Sequence, residues 1–182
     1  MNTSKQIEIP LSKIKLTLML LSSIIFCGAG IWFEMDPPRM NPPILGNPIT
    51  IFIFGFAIIL FSGLTGFILF KKLSDNSSGL IISDEGVVDN SSGISAGFVP
   101  WTDIIAIKET RLFNQRMINL VVKNPQDYIS RQKSFIKRKV VQANYSSFGT
   151  VISISANELK CNQSELKVIL DNKFAGFNNK KI

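Results

Sequence analysis

The chain has 182 residues, with 20 Lys and Arg against 13 Asp and Glu, a formal net charge of +7 and no histidine. The missing histidine removes His-based general acid–base catalysis, His-containing triads and His metal sites. Two cysteines, Cys27 and Cys161, fall one in an apolar run and one in a later polar region, so no mutual disulfide is expected and a reducing compartment suits them.

From the N-terminus, residues 1–15 read as a short polar tail with Lys5, Lys13 and Lys15 against Glu8. Leu16 to Phe33 carries no charge and is expected to be a first transmembrane helix, 16–33. A cleaved signal peptide, cut near Cys27-Gly28-Ala29, is the competing reading. The apolar run continues past that point to Trp32, where an interfacial aromatic belongs, so the helix is expected to be retained. Residues 34–48 hold Pro37, Pro38, Pro42, Pro43 and Pro48, which exclude helix and predict a stiff external loop.

Ile49 to Phe70 is a run of 22 uncharged residues stopped by Lys71-Lys72. A helix of that length spans ~33 Å, close to the ~30 Å hydrocarbon core of a bilayer. Gly55, Gly63 and Gly66 would weaken a soluble helix but are common in membrane helices. The short link forces an antiparallel hairpin of 16–33 against 49–70. Ser23–Cys27 and Ser62–Gly66 offer a candidate packing seam. Five basic residues flank the outer ends of the hairpin and only Arg39 lies in the link. The positive-inside rule then puts both termini in the cytoplasm.

Residues 71–79 read as a linker of at most ~30 Å, which keeps the following domain, 80–177, near the membrane surface. Leu80–Ile82 and Val87–Val88 flank a Ser83-Asp84-Glu85-Gly86 turn, a hairpin signal. Strands are predicted at 97–101, 104–110, 117–122 and 150–154, which suggests an antiparallel sheet or barrel. Asn124-Pro125-Gln126-Asp127 has the form of a helix start. Tyr128, Ile129, Phe135, Ile136, Val140 and Ala143 recur at helical spacing, predicting one amphipathic helix over 125–142. Ile136 should be buried in it, at a cost of ~2–5 kcal/mol on truncation to Ala. Asn162 and Glu165 predict a capping box for a last helix through Leu166, Ile169, Leu170 and Phe174. Residues 178–182 read as a polar tail.

The hairpin, GLIISDEGVVDN, FVPWTDIIAIKE and the closing helix together resemble the pleckstrin-homology-like domains of uncharacterised bacterial membrane proteins. Gly86 and Pro100-Trp101-Thr102-Asp103-Ile104 carry the resemblance most strongly, over roughly residues 5–177. It implies an α+β fold: a transmembrane α-helical hairpin, then a bent antiparallel sheet capped by a C-terminal helix, with 125–142 inserted before the last strand. It also implies a multi-pass protein of the bacterial inner (plasma) membrane. Some relatives bind phosphoinositides through basic residues of an early hairpin, but Asp84 and Glu85 occupy that place here, so this property does not carry over.

The constellation that remains is basic. Arg131, Lys133, Lys137, Arg138 and Lys139 fall within nine positions, and no Asp or Glu occurs from Tyr128 to Asn157. Solvent, anionic lipid headgroups and an acidic protein partner are the open destinations for this charge. Sparse aromatics and the lack of a nucleic-acid motif argue against nucleic acid. Trp101 is expected in the core, Asp103 as a turn cap and Cys161 as a structural cysteine. No cofactor, metal or catalytic residue is indicated. The expected function is a non-enzymatic, membrane-anchored interaction or scaffolding module. A lipid-sensing domain acting through 125–142 is the alternative, and an enzyme of membrane substrates a remote one.

Overall fold

The computed structural model describes residues 6–36, 47–112 and 115–180. The proline-rich stretch 37–46, with Arg39, lies outside the described residues. The chain divides into two compact units, one from Lys13 to Asn76 and one that joins the residues up to Ser12 with those from Ser77 onward.

The first unit is two antiparallel helices, α1 (Lys13–Met35) and α2 (Pro48–Leu73). Both run further than 16–33 and 49–70. Each is long and apolar enough to cross a membrane, and the apolar windows are only 17% and 11% buried. A soluble core helix would be mostly covered. Asn47 caps α2, its side chain accepting from the Ile49 N–H with Pro48 at the first helical position. The Lys13 ammonium donates to the carbonyls of Leu73, at 2.6 Å, and Asp75, at 2.5 Å, so the free ends of the hairpin are tied together. The helices meet over small residues. A Cβ on Gly66 would lie 2.9 Å from Ser23 Oγ, and one on Gly30 would press on Ile59 at 2.8 Å and the Gly55 carbonyl at 3.3 Å. The expected seam therefore keeps Ser23, Ser62 and Gly66 and gains Gly30 and Gly55, while Cys27 is half-buried. The Ser23 and Ser62 hydroxyls donate to carbonyls of their own helices, so the contact is close packing rather than interhelical hydrogen bonding.

The second unit holds two antiparallel sheets. Strands β1 (Ile7–Pro10), β2 (Ser78–Ile82), β3 (Gly86–Asp89) and β4 (Gly97–Pro100) form one, in that order. Strands β5 (Ile104–Leu112), β6 (Gln115–Val122) and β7 (Ile152–Ile154) form the other. No closed barrel forms among the described residues, which corrects the barrel alternative.

The N-terminal segment is not the expected polar tail. Ile7, Glu8 and Ile9 pair with Ile82, Ile81 and Leu80, and a bulge then sets Pro10 opposite Ser78. A bulge is where a strand tolerates a residue without an N–H. The Pro10 carbonyl accepts from Lys160 N, and Ser12 N donates to the Glu158 carbonyl. Ile9 and Leu11 are buried. The segment is thus held on both sides.

Trp101 is the centre of the second unit at 1% exposure. Its indole N–H donates to the Ser83 carbonyl at 2.9 Å, and its backbone N–H donates to the Glu85 carbonyl at 3.0 Å. Both bonds hold the β2–β3 turn. The ring lies 6.0 Å from Phe174 of α5 (Gln163–Asn179). Gly86 follows that turn because a Cβ there would meet the Val99 carbonyl oxygen at 2.3 Å. The expected capping box at Asn162 and Glu165 is present, and Leu166 and Leu170 are fully buried. The helix continues to Asn179, past the expected start of a polar tail. Lys173 pairs with Asp84 at 3.0 Å, and its hydrogen bond and charge hold the Asp84 carboxyl below its ordinary value.

The single helix expected over 125–142 is instead two, α3 (Pro125–Ser130) and α4 (Phe135–Phe148). Arg131 and Gln132 hydrogen-bond through their side chains to the carbonyls of Phe98 and Ser95, which hold the chain against the β4 edge where a continuous helix would carry it away. α4 ends at Gly149, whose φ of 68° closes the helix in the left-handed conformation that glycine adopts freely. Tyr128 and Ile129 are buried as expected, but Ile136 is 72% exposed and Val141 takes the buried place.

These placements overturn the expected cost at Ile136 and assign a large one to Ile9. Ile9→Ala should cost ~2–5 kcal/mol through loss of a buried side chain. Ile136→Ala should fall within about 0.5 kcal/mol of the parent, as surface changes do. Denaturant unfolding of the detergent-solubilised chain, followed by Trp101 fluorescence with Trp32→Phe as background, measures both.

Candidate functional site: a basic, apolar-tipped helix

The five basic residues marked by the sequence do not lie on one helix face. Arg131 caps the end of α3, its guanidinium 4.4 Å from the centre of the Tyr128 ring and donating to the Phe98 carbonyl at 3.3 Å. Lys133 lies in the connection. Lys137, Arg138 and Lys139 occupy the first turns of α4. Arg138 turns back to donate to the Gln132 carbonyl at 3.2 Å, and the Lys139 ammonium lies 5.6 Å from the centre of the Phe135 ring. The two arginines are therefore spent on the fold, and the three lysines form the outward charge. None of the three meets a carboxylate among the described residues.

Every residue from Lys133 to Val140 is exposed. Phe135 is 71% exposed and Ile136 is 72% exposed, while Val140, at 38%, is partly covered. At 3.6 residues per turn, Phe135, Ile136, Lys139, Val140 and Ala143 lie on the side of α4 away from buried Val141. The helix thus docks through its second half and presents apolar side chains among lysines in its first. Full burial of a Phe or Ile is worth about 1.5–3 kcal/mol each, a gain this fold leaves unused. Sequence periodicity located the helix, but it assigned these side chains to the core. Only the break at 131–134 reveals which side faces outward.

Behind this surface, Tyr128 is buried and donates to Asp103 Oδ2 at 2.9 Å. Asp103 therefore anchors α3 and does not act as a turn cap. Burial, then the hydrogen bond and charge of Asp103, push the Tyr128 phenol up to about 12. Trp101 lies in the core as expected, and Cys161 is half-buried. A groove of about 400 Å³ runs along the first unit past Met19, Phe26, Phe61 and Thr65. The hydroxyls along it, those of Ser22, Ser23, Ser62 and Thr65, donate to carbonyls one turn back, so it is chemically apolar. Among the described residues no three metal-ligating side chains come together. Compared with protein-family models, with curated proteins and with solved structures, the chain has no match.

The raised phenol fixes a pH dependence. Folding holds the Tyr128 proton more tightly than the unfolded chain does, so its stabilisation is complete below the ordinary value of 10.0 and is lost as pH rises through about 12. Tyr128→Phe should remove the late step from an alkaline titration followed by phenolate absorbance. It should also lower stability by about 0.5–1.5 kcal/mol, the net worth of one hydrogen bond. An unchanged late step would show that Tyr128 does not carry it.

Proposed function

We propose that the chain is a membrane-anchored interaction module without a catalytic role. In this reading α1 and α2 cross the bacterial plasma membrane, both termini lie in the cytoplasm, and the second unit presents its surface there to protein partners. The observation that carries it is the β1–β2 pairing. The chain leaves one strand, makes two long apolar helices and returns to the neighbouring strand, as a pair of crossings requires. The same pairing supports retention of α1, since cleavage near Ala29 would delete a strand from the sheet. Lys13, Lys15, Lys71 and Lys72 at the free ends of the hairpin support the cytoplasmic assignment. Two antiparallel sheets followed by a capped C-terminal helix support the pleckstrin-homology-like reading of the second unit.

A second reading, contact with anionic lipid through the basic stretch, is favoured by the exposure of Phe135 and Ile136 beside Lys137 and Lys139. Each such charge near an anionic surface contributes about 1 kcal/mol.

Topology is tested in a Cys27→Ser, Cys161→Ser background. A reporter fused after Ile182 should be active in the cytoplasm. Met40→Cys should react with a membrane-impermeant thiol reagent in intact cells, and Ser77→Cys only after lysis. Labelling of Ser77→Cys from outside overturns the assignment.

A further inference from the structure

We infer that the first two turns of α4 are an interfacial membrane helix. Phe135, Ile136 and Val140 enter the boundary between headgroups and acyl chains of an anionic bilayer, with Lys133, Lys137 and Lys139 at headgroup level around them. The inference rests on the lipid reading of the basic stretch and goes further: it assigns penetration, where charge alone requires only surface contact.

Four observations carry it. Every residue of 133–140 is exposed, so these turns bury no side chain in the core of their own unit. The large apolar side chains among them cluster away from the docked Val141. The three lysines meet no carboxylate among the described residues, and none occurs in the sequence from Tyr128 to Asn157. Apolar residues on one face with lysines beside and, at Lys139, among them suit a helix lying in a bilayer interface, where apolar burial and attraction to anionic lipid act together. Long lysine stems keep their ammonium groups at headgroup level while apolar neighbours go deeper.

The occupant is a bilayer because the chain brings one with it. The second unit is joined to the apolar hairpin through Leu11–Ser12 on one side and Ser74–Ser77 on the other. Four extended residues reach at most about 14 Å. Tethering of this kind makes even a weak contact effectively intramolecular.

The full chain, in the Cys27→Ser, Cys161→Ser background, is reconstituted into nanodiscs of phosphatidylcholine alone or mixed with phosphatidylglycerol. An environment-sensitive fluorophore is placed on Ile136→Cys, and separately on Lys160→Cys as an exposed control. At low salt the probe at 136 should brighten severalfold and shift to the blue in the anionic discs, and acyl-chain-brominated lipid should quench it. The probe at 160 should do neither. Triple substitution of Lys133, Lys137 and Lys139 by Gln should return most of the signal to the aqueous value. So should 1 M salt, where the Debye length falls to ~3 Å. Because position 136 is exposed, labelling there leaves the core intact, and Val140→Cys provides a second probe on the same face.

A probe at 136 that stays aqueous in anionic discs overturns the inference. If energy transfer from Lys137→Cys to a headgroup acceptor still depends on lipid charge, surface contact stands and penetration alone fails. If both signals are absent, the lipid reading fails with it. A blue shift that is independent of lipid charge and untouched by brominated lipid would mean that protein, such as a second copy, covers the apolar pair, and would also overturn the inference. Failure of the chain to enter discs at all would instead reject the membrane-anchored reading, a result read separately by co-elution.

Discussion

The constraint on which the architecture depends is the pairing of Ile7–Pro10 with Ser78–Ile82. These strands are neighbours in space yet are separated in sequence by both apolar helices. The hairpin is therefore an excursion made within a sheet, and the second unit cannot be completed until the chain has passed through α1 and α2. Closing so long an interval is entropically costly, but the cost grows only logarithmically with loop length. The Lys13 bonds to the end of α2 and the antiparallel packing of the helices shorten the effective interval further. The returning strand β2 then gains its ladder with β1, whose segment is itself held by backbone bonds to Lys160 and Glu158.

A second tie makes the two sheets and the last helix interdependent. Trp101 ends the first sheet and begins the turn into the second. Its two N–H groups are both given to the β2–β3 turn and its ring faces Phe174. A large aromatic with a satisfied polar handle contributes area and direction at once. The close approach at Gly86 follows from it, since the turn must come near enough for the Glu85 carbonyl to reach the Trp101 N–H. Lys173 and Asp84 bridge the same turn to α5 at the surface, where solvent screens the pair and leaves it a minor contributor beside the buried contacts.

What the sequence disclosed follows the strength of its local signals. The apolar helices, the Asn162–Glu165 capping box, the hairpin turning before Gly86 and the burial of Trp101 rest on composition or on hydrogen bonds within a few residues. The missed strand β1 had a signal, the alternation Ile7-Glu8-Ile9-Pro10-Leu11. It spans barely two periods beside a long apolar run, and a proline within it argues against a strand. The break in 125–142 had no local cause. The apolar spacing skips one turn at Ser130 to Ser134 and then resumes in phase, which reads as one helix, and the interruption is held by side-chain bonds to residues 95–98, which only the tertiary fold brings near. For the same reason the placement of Ile136 could not be read from spacing: two short helices with a kink between them do not share one buried stripe.

The division of labour among the five basic residues follows from side-chain chemistry. Guanidinium groups offer several fixed donors and a flat cation, which suits Arg131 to bond a strand carbonyl while stacking on Tyr128, and Arg138 to close the interhelical connection. Lysine offers a compact, strongly hydrated charge on a flexible stem, poorly matched to such tasks. Lys133, Lys137 and Lys139 are accordingly left on the outside, beside Phe135 and Ile136. A charge run that sequence presents as five equivalent cations is in the fold two structural arginines and three lysines free to follow whatever surface the apolar tip meets.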